Sequence, residues 1–219
     1  MQSRGFILLV LASTVAFAVN GMHGLTRSLM MDQRHFLAAD ITSTVSVSGL
    51  VSIPVPFVIG WLSDRVGRKP LIIVGYLATA ACVLLLTMST SLWHFWLSTA
   101  LATLTGASFT VGLAMATDLV PAEGLGIGLA LFGATNFIGL IIGSGLTGIA
   151  IQHLGMTPSL LLGSLVGLGA VGLLLSIRRP ARFASHEPAV GLAYSTSSTS
   201  TRTAPAAHLS QPADRQQRV

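Results

Sequence analysis

The stretch that decides the fold is Gly60-Trp61-Leu62-Ser63-Asp64-Arg65-Val66-Gly67-Arg68-Lys69-Pro70. It concentrates four charged side chains within six residues, in a chain where only 9% of residues are charged. Long apolar runs lie on both sides of it. Such a stretch is typical of a short loop between two membrane helices, and an excess of Arg and Lys indicates that the loop is cytoplasmic.

The composition excludes an ordinary soluble domain. Of the 219 residues, 52% are hydrophobic and 9% are charged, whereas about a quarter of the residues in a soluble domain are charged. The sequence therefore predicts an integral protein of the lipid bilayer. Its formal net charge of +5 does not indicate a nucleic-acid partner, because the basic residues flank apolar runs and are not interleaved with aromatic residues.

Six apolar runs are long enough to cross the hydrocarbon core as helices, which takes about 20 residues each. We predict an all-α membrane protein with spans at Phe6 to Met22, Ile41 to Leu62, Leu71 to Met88, Leu92 to Ala116, Gly124 to Ile151 and Pro158 to Ile177. This membrane domain covers residues 1–179. Residues 180–219, rich in Ser, Thr and Pro, are predicted to form a disordered cytoplasmic tail.

The basic residues near the span ends predict the orientation. With a cytoplasmic N-terminus, seven of them fall inside and two, Arg27 and Arg34, fall outside. The seven are Arg4, Arg65, Arg68, Lys69, Arg178, Arg179 and Arg182. We expect both termini to be cytoplasmic, in a protein of the cell membrane. An alternative is a cleaved secretory signal ending near Ala16-Phe17-Ala18, which would leave five spans.

The loop stretch resembles a known transporter motif at every position. Its pattern G-x-L-x-D-R-x-G-R-K is similar to the loop motif of the major facilitator superfamily of secondary transporters, and the resemblance extends from about Gly5 to Ile177. Members of this family have two six-helix halves with the substrate at the midplane between them. The resemblance implies that this chain is one half of a major facilitator fold. The short charged entry, the loop after the fourth span and the tail favour the C-terminal half. The alternative is that the Ser/Thr-rich tail is a truncated central linker.

In the family, this motif is a latch that holds the two halves together in one access state. The resemblance assigns the latch to Gly60, Asp64, Arg65, Gly67, Arg68 and Lys69. The residue types fit the role, because Arg65 and Arg68 can pair with Asp64 or with carbonyls at a helix end, and Gly67 permits a tight turn. The alternative is that these charges only set the topology.

A second stretch, Asp118-Leu119-Val120-Pro121-Ala122-Glu123-Gly124-Leu125-Gly126, looks like the D-L-V-P-x-E-x-x-G loop after the fourth helix of a family half. Asp118 and Glu123 are predicted either to take part in gating or to cap the next helix, whose dipole favours acidic residues. The arginine usual in this loop is absent, which puts an ion pair there in doubt.

Polar residues at membrane depth are the candidates for a substrate cavity. Asn20 and Asn136 are the foremost, because an unpaired amide in lipid is costly. An interhelical hydrogen bond is the alternative for Asn136. Pro54 and Pro56 are expected to bend the second span. We predict no metal site, since His23, His35 and His153 are expected in scattered outer loops, and no cofactor is implied.

These observations predict a permease half that moves a small organic solute by alternating access. The loop latch needs a surface on a second half, so we expect a homodimer or another chain as partner. The alternative is a non-transporting six-helix membrane protein, either a fragment or a subunit that supports another permease. No enzyme is predicted, because nucleotide-binding and hydrolase motifs are absent. The substrate is not encoded in one half alone.

Overall fold

The computed structural model describes residues 4–177, and regular structure in this range is helical throughout. The helices are α1 Arg4–Gln33, α2 Ala38–Ser52, α3 Pro54–Val66, α4 Arg68–Thr87, α5 Leu92–Leu119, α6 Leu125–Leu154 and α7 Met156–Leu175, with a 3₁₀ turn at Ala122–Gly124. The predicted tail lies outside the described residues.

Six helical segments in the described range are long and apolar enough to cross a membrane, with α2 and α3 forming one of them. This confirms the predicted all-α fold with six membrane-spanning helices. The largest difference is at α1, which we predicted to end at Met22 but which runs to Gln33. Its 30 residues rise about 45 Å at 1.5 Å each. Arg27 therefore lies within a helix, and not in an outer loop as predicted.

The second span, which Pro54 and Pro56 were predicted to bend, is interrupted before Pro54. Proline has no N–H to donate and its ring clashes with the preceding turn, so helix α2 ends at Ser52 and Pro54 begins α3. Helices α2 and α3 both pack against α5.

Small residues allow close helix contacts. Helix α1 packs along α6 and α7, and α4 packs between α5 and α7. A Cβ atom added to Gly143 would lie 1.9 Å from the carbonyl oxygen of Ala18 in α1. Helices α1 and α6 can approach this closely only if residue 143 has no side chain, so Gly143 sets their separation.

Burial is uneven among the spans. The difference holds over the most apolar 18 residues of each span. Only 6% of these residues are buried in Ala38–Val66 and 22% in Ala122–Leu154, against 44% to 56% in the other four spans. The exposed residues of α2 include the large apolar Val45 and Leu50. They also include small and polar residues at helical spacing, namely Thr42, Ser46, Gly49 and Ser52. Faces of small residues are typical of helix interfaces within membranes.

Candidate functional site

The loop motif forms the turn between α3 and α4. Gly67 joins the two helices with φ at +97°, a conformation that a side chain would strain. The Arg65 guanidinium lies over the Trp61 ring, 4.0 Å from its centroid, and is held by a cation–π contact. A Cβ atom added to Gly60 would meet no described atom within 4 Å, so no described helix uses the close approach that this glycine permits.

Arg68 and Lys69 bind the ends of two other helices. The Arg68 guanidinium donates through Nη1 to the Ala114 carbonyl and to the Asp118 carboxylate, both in the last turns of α5. Lys69 Nζ donates to the carbonyl oxygen of Leu175, 3.2 Å away, and to that of Ile177. The last carbonyls of α7 lack partners within the helix and carry a partial negative charge, so the Lys69 cation stabilises them.

Asp64 differs from its neighbours in the motif. Its side chain is exposed, and within residues 4–177 it makes no hydrogen bond or ion pair. The sequence allowed Arg65 and Arg68 to pair with Asp64 or with helix-end carbonyls. In the structure Arg68 takes a carbonyl together with Asp118, and Arg65 stacks on Trp61. The Asp64 carboxylate is thus free to meet a group outside the described chain.

Neither acidic residue of the second motif caps α6 by a hydrogen bond. Asp118 lies in the last turn of α5, where the helix dipole disfavours a negative charge, and the Arg68 cation compensates it. The ion pair that the missing loop arginine put in doubt is therefore made by an arginine of the first motif. Glu123 lies exposed in the 3₁₀ turn before α6, whose N-cap residue Gly124 offers no side-chain bond.

A cavity of about 370 Å³ opens between α1, α2, α3, α5 and α6. Its wall combines polar and small side chains, and we call it the central cavity. It is lined by Phe17, Asn20, His23, Gly24, Arg27, Ser48, Ser52, Pro56, Thr99, Ala102, Thr103, Gly106, Ala107, Asn136 and Leu140. Hydrophilic groups inside an otherwise apolar membrane bundle are typical of a solute pathway.

Both asparagines predicted to face a cavity line this one. The Asn20 Nδ2 atom donates to the carbonyl oxygen of Ala102, 3.2 Å away. Asn136 is half-buried and makes no hydrogen bond to another residue of the described range, so its amide is available to a ligand. Thr103 also lines the cavity.

Two cavity residues, His23 and Arg27, were not predicted. His23 was expected in an outer loop, but it is buried in α1 with Nε2 3.2 Å from the Ser98 hydroxyl. Arg27 lies one turn further along α1 and donates through Nη1 to Thr99 Oγ1 at 3.1 Å. The signal was present in the sequence, because no proline interrupts the chain between Met22 and Gln33 and apolar residues continue on both sides of Arg27.

The helices define a polytopic membrane protein with a partly polar cavity between them. A sequence model of the Major Facilitator Superfamily matches residues 9–211, and the chain belongs to this family. Its six spans correspond to one six-helix half of the family fold, as predicted.

Two relatives are tetracycline resistance proteins. The class H protein of Pasteurella multocida is 35% identical over 92 residues, and the class B protein of Escherichia coli is 32% identical over 92 residues. The matched segment covers 42% of this chain and 23% of each relative. The similarity to these relatives thus spans less than a quarter of their length.

Proposed function

We propose that the protein transports a small organic solute across the cell membrane by alternating access, as one half of a transport unit. The central cavity is the observation that carries this proposal. It places two asparagine amides and a threonine hydroxyl beside free volume within a bundle of membrane-spanning helices. Transporters of this family bind their substrate between two halves.

Flux measurements test the transport activity. Because of the names of the relatives, tetracycline is the first solute to assay, in vesicles reconstituted with the full chain. We expect Asn136→Leu to reduce saturable flux at least tenfold, because it replaces a polar cavity group with an apolar one. The matched control is Phe137→Leu on the next residue of α6, which is 67% exposed and does not line the cavity. Equal loss in both variants would contradict a role for the cavity.

The need for a partner is supported by the exposed small residues of α2 and by two glycines of α6, the exposed Gly145 and the half-buried Gly148. A Cβ atom added to either glycine would meet nothing within 4 Å. We propose that a second copy or another six-helix chain covers these faces. The expected result is an active species with the mass of two halves in detergent. A strictly monomeric species with saturable flux would refute the half-unit model, and a partner-bound species without flux would favour the supporting-subunit alternative.

We propose that both termini are cytoplasmic, from the bias of basic residues near the span ends, to which Arg27 no longer contributes because it lies within α1. The turn between α4 and α5 should then be external. Thr90→Cys, exposed in that turn, is expected to react with an impermeant maleimide in intact cells. Val66→Cys, 53% exposed near the loop motif, should react only after permeabilisation. The buried Cys82 is the sole native cysteine, so background labelling should be low. If Val66→Cys reacts in intact cells and Thr90→Cys reacts only after permeabilisation, the topology is the inverse of the one proposed.

A further inference from the structure

We propose that the central cavity binds the carboxylate group of an organic anion through Arg27. This inference rests on the proposed transport function and names the substrate class of the same cavity. It starts from a cation placed inside a membrane bundle without a counterion. Ionisable groups at such positions are costly and mark ligand or ion pathways.

The guanidinium of Arg27 is only partly satisfied. One of its five N–H donors bonds Thr99, whereas its Nε atom is buried and has no hydrogen-bond partner in the described structure. A buried donor left unpaired is unfavourable, and a buried unpaired charge is more so. A negatively charged ligand beside the guanidinium would offset the unpaired charge.

The cavity wall contains no acidic side chain that would take this role. None of its lining residues is Asp or Glu, and Arg27 makes no ion pair with another residue in the range 4–177. The nearest acid along α1, Asp32, is exposed and does not line the cavity. The wall described by the structure therefore favours an anion over a cation.

The remaining polar groups suit the neutral part of such a solute. The amides of Asn20 and Asn136 offer hydrogen bonds without charge, while Phe17 and Leu140 supply apolar surface. The planar guanidinium fork can hold a carboxylate through two parallel hydrogen bonds, which a lysine ammonium does not reproduce. Arg27 thus recognises the anionic end and the rest of the wall accommodates the body.

Thermal stability of the purified full chain in detergent tests the inference, with benzoate as probe and benzamide as its uncharged analogue. We expect benzoate, and not benzamide, to raise the melting temperature of the wild-type protein. Arg27→Gln should weaken benzoate binding at least about tenfold, the lower end for a lost charge-assisted hydrogen bond. Arg27→Lys should retain part of it. The control Arg34→Gln removes a cation that lies outside the cavity, over the Phe95 ring. This variant should bind benzoate as tightly as the wild-type protein does.

The unliganded melting temperatures separate ligand binding from a structural role. Because Arg27→Gln removes a cation with an unpaired donor, the variant should melt at or above the wild-type temperature without ligand. A large decrease would show that Arg27 supports the fold and would overturn the inference. So would equal stabilisation by benzoate and benzamide, or stabilisation by neither. The melting assay reports binding and is independent of the flux assay. Benzoate binding by a protein that transports no solute would contradict only the proposed function. Transport of tetracycline by a protein that does not bind benzoate would contradict only this inference.

Discussion

Substitution of Gly143 by alanine is expected to destabilise the helix bundle by about 3 kcal/mol or more, at the upper end of overpacking costs. The added methyl group would stand 1.9 Å from the Ala18 carbonyl oxygen and within 2.6 Å of its Cα atom. These are backbone atoms in the middle of α1, so they cannot move aside as a flexible side chain can. Relief requires that α1 and α6 separate along their contact.

The matched control lies two residues further along the same helix. A Cβ atom added to Gly145 would meet nothing within 4 Å, so Gly145→Ala should leave stability unchanged within about 0.5 kcal/mol, as surface substitutions usually do. Thermal unfolding of both variants in the same detergent provides the measurement. If the two variants melt together, the close contact between α1 and α6 does not determine stability.

The sequence predicted those features that depend on local chemistry. The broken second span follows from Pro54, whose missing donor acts on its own helix. The turn at Gly67 follows from a glycine within a charged stretch of the sequence. The span count follows from apolar length alone, and it needs no knowledge of which helices are neighbours.

The partners of the charged residues were harder to predict, because they depend on the arrangement of the helices. Arg68 is 50 positions from Asp118, and only the packing of α4 against α5 brings them together. Lys69 similarly meets the end of α7, 108 positions away at Ile177. A single sequence contains no distance information of this kind, so Asp64, four positions from Arg68, was the natural candidate.

Arg27 was missed for a different reason. A charged residue was assumed to mark the end of an apolar span, which is a sound rule where the residue would face lipid. The rule fails where a helix lines a cavity, because a long polar side chain can then project into free volume and bond a neighbouring helix. Asn20 and Asn136 were predicted to face a cavity because they are uncharged and lay within the predicted spans. The sequence thus predicted the two asparagines of the cavity wall but not the cationic Arg27.

Asp64→Asn is expected to reduce flux at least tenfold while leaving thermal stability within about 0.5 kcal/mol of the wild type. The reason is that Asp64 is exposed and makes no hydrogen bond or ion pair with another described residue, so removal of its charge breaks no contact in this half. If the motif is a latch, the carboxylate acts on the second half in one access state. Asp64→Glu should retain part of the activity, since the charge remains.

Asp118→Asn provides the contrasting variant at the same end of the bundle. It removes the charge that pairs with Arg68, and it is expected to cost up to about 1 kcal/mol of stability, because side chains of the pair that are 38% and 27% exposed are screened by solvent. The two substitutions should therefore have different effects: Asp118→Asn should lower stability, and Asp64→Asn should lower transport. Normal flux in Asp64→Asn would leave the motif only its role in setting orientation, whereas a lowered melting temperature in that variant would make Asp64 a structural residue of this half.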